Sequence, residues 1–344
     1  TICVQLRKLT MDEPCIIPMV ASSSLPSFIC LFSILKAGCA YLPLDPQWPM
    51  QRLKQAMTEV KATVALYDEA VFSDVSDLPC ETWLSFAALM RPSTNGINKP
   101  LSIEPHLLAY VIYTSGSSGI PKAIPIRHDS LLNLAKAQSK CFDVISNDNI
   151  IQFAPLTFDA SVSEWAVSLY AGATLCLVDQ KEKLDVDQLA TAIQKNHITI
   201  ATFPPSYLQE LPPQKMHGLK TLVSAGEPCK RILIERYANT CRFINAYGPT
   251  ETAVCASIHI CSQGSAENNV GQAIEHTRLM VLDKYNQPLP QGHTGEITIA
   301  GIGLSPGYLN PSETTGFFQL HNISLYRTGD LGYLDESECL RYLG

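Results

Sequence analysis

Residues 183 to 246 switch between two periodicities, and that alternation limits the folds open to the chain more than any other feature. LDVDQLATAIQKN places apolar residues at helical spacing, and ITIATF is a short β-rich run stopped by Pro204 and Pro205. A further helical stretch, the run LKTLVSAGE, a helical KRILIERYA and finally CRFINAYG follow. Helices and strands taking turns at this spacing bury their apolar faces together as βαβ units on a parallel sheet, so the expected class is α/β. Ligands of such sheets collect beyond the carboxyl ends of the strands. Thr202, Ala225 and Ala246 fall at such ends, which predicts one crevice served by three distant stretches. From about residue 278 the pattern becomes short alternating runs with Gly and Pro turns, RLMVLDKYNQPLPQGHTGEITIAG, which predicts a small antiparallel or barrel-like section.

A chain of 344 residues with 46% hydrophobic and 17% charged residues has ample material for a large core, which excludes a disordered chain. The net charge of −7 and the lack of any basic run argue against a nucleic-acid surface. Twelve cysteines are scattered without a CxxC pair or a Cys/His cluster at ligand spacing. They are expected to be buried free thiols in a reducing cytosol rather than a zinc site or disulfide scaffold. Cys15 to Leu35 is free of charge over a membrane-spanning length, but Pro18, Pro26 and Ser22–Ser24 interrupt it. The expected elements there are a strand (CIIPMV), a loop and a buried helix (PSFICLFSILKAG), with no membrane span. Thr1 opens inside a helical pattern, ICVQLRKL, as though the chain were cut from something longer.

Two stretches carry chemistry. YVIYTSGSSGIPKAIPIRH, residues 110 to 128, leads from a β-rich run into a Ser/Gly loop and then Lys122. Such a loop can turn backbone N–H groups toward an anion while the lysine adds a point charge. It is not a Walker A loop, because the GxxxxGK[ST] spacing is missing and Pro121 and Pro125 oppose a helix beginning at the lysine. A strand–loop–strand is expected instead, and a plain surface loop is the alternative. In FDASVSEW, residues 158 to 165, Asp159 places a charge in an apolar region whose only other acid is Glu164. Either a ligand compensates that charge, or Asp159 caps the helix ASVSEWAVSLYAG, and the two roles are compatible.

Seven stretches, in order, resemble the signatures of adenylation domains of nonribosomal peptide synthetases, within the wider acyl-adenylate-forming family. They are LKAGCAYLPLD (35–45), LAYVIYTSGSSGIPKA (108–123), FDAS (158–161), NAYGPTE (245–251), GEITIAGIGLSPGYL (295–309), YRTGDL (326–331) and the closing YLG. The resemblance implies the large N-terminal subdomain of such an enzyme. Two parallel-type sheets with flanking helices would form a core at 1–277 carrying the ATP and amino-acid sites, followed by the smaller β section at 278–344. The extreme N-terminus and a C-terminal, lysine-bearing subdomain would lie outside the chain, which by itself would adenylate poorly.

The resemblance also implies roles. Thr114, Ser115, Gly116, Ser117, Ser118 and Gly119 with Lys122 would hold the β- and γ-phosphates of ATP. Tyr247 would stack on adenine, with Gly226, Glu227 and Asn245 lining the base and Tyr342 beside the nucleotide. Thr250 would contact the α-phosphate, Glu251 would hold Mg²⁺, and Asp330 would accept the ribose hydroxyls. Lys122, Thr250 and Glu251 are thus the expected catalytic residues. In the reaction this implies, a substrate carboxylate would attack the α-phosphorus in line, pyrophosphate would leave, and the acyl group would pass from the adenylate to a phosphopantetheine thiol on a peptidyl carrier domain, with a condensation domain as a further expected partner. No cysteine has to act as a nucleophile. Singly, each residue has an ordinary reading: Tyr247 a half-buried ring, Asp330 a turn former, Glu251 a solvated acid.

Family members that take α-amino acids carry an aspartate at the position of Asp159 to pair with the substrate ammonium. The corresponding pocket positions are Asp159, Ala160, Ser163, Thr202, Val223, Ala225, Ala246, Val254 and Cys255. This wall is small and mostly apolar, which suits an aromatic side chain. Similar phenylalanine-activating domains carry Trp where Ser163 stands, one helical turn or about 6 Å beyond Asp159. Serine deepens the pocket and brings a hydroxyl, so L-tyrosine is expected, with L-phenylalanine second. Three rivals are an acyl-CoA ligase-like enzyme, an inactive binding module of the same fold, and a P-loop kinase or ATPase. Ala123, Ser118 and the pair Ser305–Pro306 depart from the usual Gly, Thr and Ala-Arg, and ESECLRYLG replaces a turn that usually carries Asp-Gly.

Overall fold

A computed structural model describes residues 2–91, 102–115, 121–310 and 316–344, and its chain folds as two compact units. The first comprises residues 1–129, 155–158 and 305–314, and the second 130–154, 159–304 and 315–344.

The first unit holds a six-stranded sheet of β1 (Ile16–Val20), β2 (Ala40–Leu44), β3 (Val64–Tyr67), β4 (Thr82–Ser85), β5 (Leu108–Ser115) and β6 (Pro121–Arg127), in the order β4-β3-β1-β2-β5-β6. All neighbours are parallel except the β5–β6 hairpin. The helices are α1 (Ile2–Leu9), α2 (Leu25–Lys36), α3 (Met50–Glu59) and α4 (Phe86–Met90). The charge-free run from Cys15 is β1, a loop and α2, as its proline and serine breaks predict. Ser24 caps α2 by accepting the Ser27 N–H, Pro26 sits in its first turn, and Phe28, Leu31 and Ile34 are buried. On α3, Leu53, Ala56 and Met57 join Leu42, Leu44 and Val111 of the sheet in one core, the burial that holds this unit together.

The second unit is built on a twelve-stranded sheet. Its parallel part is β7 (Asn149–Gln152), β8 (Thr174–Leu177), β9 (Ile200–Phe203), β10 (Thr221–Ala225) and β11 (Arg242–Tyr247), in the order β8-β7-β9-β10-β11. Helix α5 (His128–Cys141) leads into it. The crossovers use α6 (Ala160–Ala171), α7 (Gln180–Leu184), α8 (Val186–Lys195), α9 (Pro205–Glu210) and α10 (Arg231–Tyr237), and α8 to α10 with β9 to β11 form the alternation read at residues 183–246. Leu189 and Ile193 of α8 and Leu233 and Ile234 of α10 pack with Phe203, Leu222 and Phe243 in the core beneath. The antiparallel strands β12 (Ser257–Ile260), β13 (Asn269–Ala273), β14 (Thr277–Leu282), β15 (Gly295–Gly301), β16 (Phe317–Leu320), β17 (Ile323–Leu334) and β18 (Leu340–Tyr342) continue the same sheet from β11 through β12 and β13. All twelve cysteines are free, and among the described residues no helix is long and apolar enough to cross a membrane.

Candidate functional site

The parallel register sets the first part of the site. Val223 pairs with Thr202, and Ala225 pairs with Ala246. Side chains alternate along a strand and registered neighbours share a face. Val223 and Ala225 are two apart, so all four lie on one face at the carboxyl ends of β9, β10 and β11.

The chain leaving β11 is tightly constrained. Gly248 has room for no side chain: a Cβ there would meet Ala256 N at 2.6 Å and Cys255 Cα at 2.7 Å. Tyr247 O accepts the Ala256 N–H at 2.8 Å, so the NAYG stretch lies against the strand entering β12. Between them Ala253 and Val254 are both left-handed, with φ of 58° and 71°. That conformation is a genuine outlier for a β-branched residue, and such strain concentrates where function holds a segment in place. It delivers Cys255, which is buried and whose thiol is pushed up to about 12 by that burial, so the sulfur stays protonated.

Asp159 begins α6, a helix that Gly172 ends in the left-handed region with φ 70°. Its carboxylate makes no cap bond to the second or third residue of the helix, so the capping role weighed from the sequence is not the one it plays. It accepts the Thr250 hydroxyl at 2.6 Å and the Ala160 N–H instead. Solvent still reaches Asp159, yet the surrounding protein raises its carboxyl above the usual range, with the Thr250 bond opposing the rise and the nearby Glu251 adding to it. The partners are thus neutral, and the neighbouring charge is of like sign. One turn on, the buried Ser163 hydroxyl donates to Gln138 Oε1 of α5 at 2.5 Å.

Glu164 has no role that the sequence alone suggests. It is buried, and its carboxylate accepts Gln152 Nε2 at 2.6 Å and the N–H groups of Phe153 and Ala154. It therefore straps the chain leaving β7 to the helix that carries Asp159 and Ser163. Burial raises its carboxyl above the ordinary value, and burial likewise lowers Lys183 nearby. Gln138 also escapes sequence reasoning, although a signal exists. Leu131, Leu134, Ala135 and Gln138 are all buried, so the glutamine occupies the apolar stripe of α5 at helical spacing.

The second part is an open pocket of about 1030 Å³ lined by Gly226, Glu227, Asn245, Tyr247, Asp330 and Tyr342 among others. The Tyr247 hydroxyl donates to Asp330 Oδ2 at 2.6 Å, and its ring lies 5.7 Å from that of Tyr342. Burial, then the Asp330 bond, raises the phenol well above its usual range, so it remains a donor. Asn245 is buried and donates to Asn269 O, while Glu227 accepts the N–H and hydroxyl of Ser206 at the start of α9. Polar groups here are tied to the scaffold, and the aromatic faces and one Asp330 oxygen remain for a ligand.

In the first unit, Thr114 and Lys122 are register partners at the mouth of the β5–β6 hairpin. Gly116, Ser117, Ser118 and Gly119 lie outside the described residues, and Ser115 is placed only as the last residue of β5. The Lys122 ammonium sits 4.7 Å from the Tyr308 ring centre, a cation–π contact. Ser305, one of the departures noted above, is buried, and its hydroxyl donates to Pro125 O at 2.8 Å. Together with the Leu309 N–H to Ala123 O it pins residues 305–309 along β6.

The family model described as AMP-binding enzyme matches residues 15–309. The chain belongs to that family. Among curated relatives of this AMP-binding enzyme is bacitracin synthase 3 of Bacillus licheniformis, 36% identical over 98% of the chain but only 5% of the synthase. Tyrocidine synthase 1 of Brevibacillus parabrevis is 32% identical over 96% of the chain and 31% of its own length. The chain therefore spans a minor fraction of these relatives. Among solved structures, the nonribosomal peptide synthetase FmoA3 in its AMPPNP-bound form superposes with a TM-score of 0.89 at 27% identity, covering 100% of this chain and 38% of that one. The mixed α/β architecture of two multi-stranded sheets with helices matches these neighbours.

Proposed function

We propose that this AMP-binding enzyme is the large N-terminal part of an adenylation domain that activates an α-amino acid, L-tyrosine first and L-phenylalanine second, as its adenylate for a carrier-protein thiol. One observation carries the reading: Asp159 presents a carboxylate with neutral partners and a like-charged neighbour, one helical turn from Ser163. A carboxylate so placed is costly until a cation arrives, and a substrate ammonium supplies one. A fatty or aryl acid would leave it unpaired, which weighs against an acyl-CoA ligase.

In this reading Tyr247 and Tyr342 offer the base an aromatic surface, and Asp330 takes the ribose with the oxygen that Tyr247 leaves open. Lys122 is assigned to the outer phosphates and Thr250 to the α-phosphate. Glu251 is buried in the turn that follows β11, a carboxylate of the kind Mg²⁺ accepts alongside substrate phosphates. Bound Mg²⁺ would neutralise phosphate charge. The protein's own contribution is positioning: Asp159 holds the amino end of the substrate, and its carboxylate is thereby aimed at the α-phosphorus. A carrier domain and a condensation domain are the proposed partners, and the cytoplasm the proposed compartment.

The test is ATP–pyrophosphate exchange across the amino acids with the full synthetase module. Tyrosine should lead and phenylalanine follow. A clear preference for an aliphatic or acidic amino acid would sink the substrate assignment, and the absence of amino-acid-dependent exchange would sink the activity.

A further inference from the structure

We infer that Gln138 of α5 is a specificity-determining positioning residue, which fixes Ser163 as a hydrogen-bond acceptor toward the substrate side chain. The inference rests on the adenylation reading above and sharpens it from aromatic size to hydrogen-bond polarity. A serine hydroxyl has one proton and two lone pairs. In this structure the proton is spent on Gln138 Oε1 at 2.5 Å, so Ser163 turns lone pairs, and no donor, toward its surroundings. Gln138 is held in turn, since its side chain also hydrogen-bonds the Cys255 thiol, and Cys255 Sγ donates to Ser257 O at 3.5 Å. Ser163, Gln138 and Cys255 are 4%, 3% and 2% exposed, so water does not scramble this chain of bonds. Buried hydrogen-bonded chains of this kind hold their members in one orientation.

The ligand chemistry follows. A side chain that donates at its far end, as a phenol O–H does, completes the Ser163 oxygen. One of the same shape that cannot donate leaves a buried acceptor unpaired, and that mismatch is penalised more than a missing methylene. Gln138 touches no substrate and acts through Ser163.

The experiment compares kcat/KM for tyrosine and for 4-methylphenylalanine, which matches it in shape without the donor. It uses the full synthetase module as the parent enzyme and its Gln138→Met, Ser163→Ala and double variants. The parent should favour tyrosine by at least about tenfold. Gln138→Met should collapse that ratio to about threefold or less, Ser163→Ala should do the same, and the double variant should fall no further, since the two act as one unit. A loss of packing alone would lower both rates together and leave the ratio. Retention of the parent ratio in Gln138→Met while Ser163→Ala loses it, or multiplying effects in the double variant, would overturn the inference. If the parent instead prefers another donor-bearing side chain, the tyrosine assignment fails, and the same variants tested with that amino acid against its donor-free isostere still decide Gln138. A parent preferring a side chain without a donor overturns both.

Discussion

The two halves of the site in the second unit treat polar groups in opposite ways. In the pocket at the ends of β10 and β11, Asn245, Glu227 and Asp330 each have a protein partner before any ligand arrives, respectively Asn269, Ser206 and Tyr247. At the start of α6, Asp159 meets a hydroxyl and an amide but also the like charge of Glu251, and its carboxyl is raised by its enclosure. A surface whose polar groups are already satisfied can accept a ligand common to every turnover with little reorganisation. A group left electrostatically unbalanced discriminates, because only a ligand of the right charge relieves it.

Removing the charge tests that contrast most severely. Asp159→Ala should reduce amino-acid-dependent pyrophosphate exchange by on the order of 100-fold, the scale of breaking a partly enclosed ion pair, while nucleotide affinity measured by fluorescence titration stays within about threefold. An equal loss in both measurements would erase the distinction between the halves. In the pocket, Tyr247→Ala should weaken nucleotide binding by about tenfold through lost ring contact, and Tyr247→Phe by far less, because the ring remains and Asp330 is open enough to be rehydrated. Equal losses in Ala and Phe would shift the weight from ring to hydrogen bond.

The pH dependence separates the halves again. If Asp159 pairs with a substrate ammonium its productive form is the carboxylate, and burial holds that carboxyl above the ordinary 3.8. The kcat/KM for the amino acid should therefore fall on acidification at a pH above the usual aspartate range, a fall that Asp159→Asn should remove. The stability effect has the opposite sign. Because the folded carboxyl keeps its proton to higher pH than the unfolded one, the folded state binds more protons across that window, and stability declines as pH rises through it. Thermal melts of Asp159→Asn should lack that decline. The smallest effect belongs to the first unit: Ser305→Ala should cost about 1 kcal/mol in chemical denaturation, the worth of its bond to Pro125 O, without altering the amino-acid preference.

Much of this was legible in the chain itself. The alternation at 183–246 announced the parallel strands β9, β10 and β11 with the helices between them, and the proline and serine breaks in Cys15–Leu35 announced β1 and α2. The strand–loop–strand around Lys122 followed from two prolines that no helix would tolerate. In the open pocket at the ends of β10 and β11, Gly226, Glu227, Asn245, Tyr247, Asp330 and Tyr342 come together because most of them sit at or next to strand ends, where topology already sends them. The continuation of the parallel sheet into the antiparallel one through β12 and β13 was not legible, since hydrogen-bonded pairing between distant strands leaves no local period. Nor was the bond from Tyr247 to Asp330, 83 residues apart.

Period, proline placement and the lone acid of FDAS are local properties, so the sequence by itself determined the class, the elements and the presence of an unbalanced charge. Whether that carboxylate would cap its own helix or bond elsewhere depended on Thr250, 91 residues away. Ser163 shows the same limit: its identity was plain, but the direction of its proton was decided by Gln138, 25 residues earlier on another helix. A hydroxyl's donor goes to the nearest good acceptor, and only the packing of α5 against α6 says which acceptor that is.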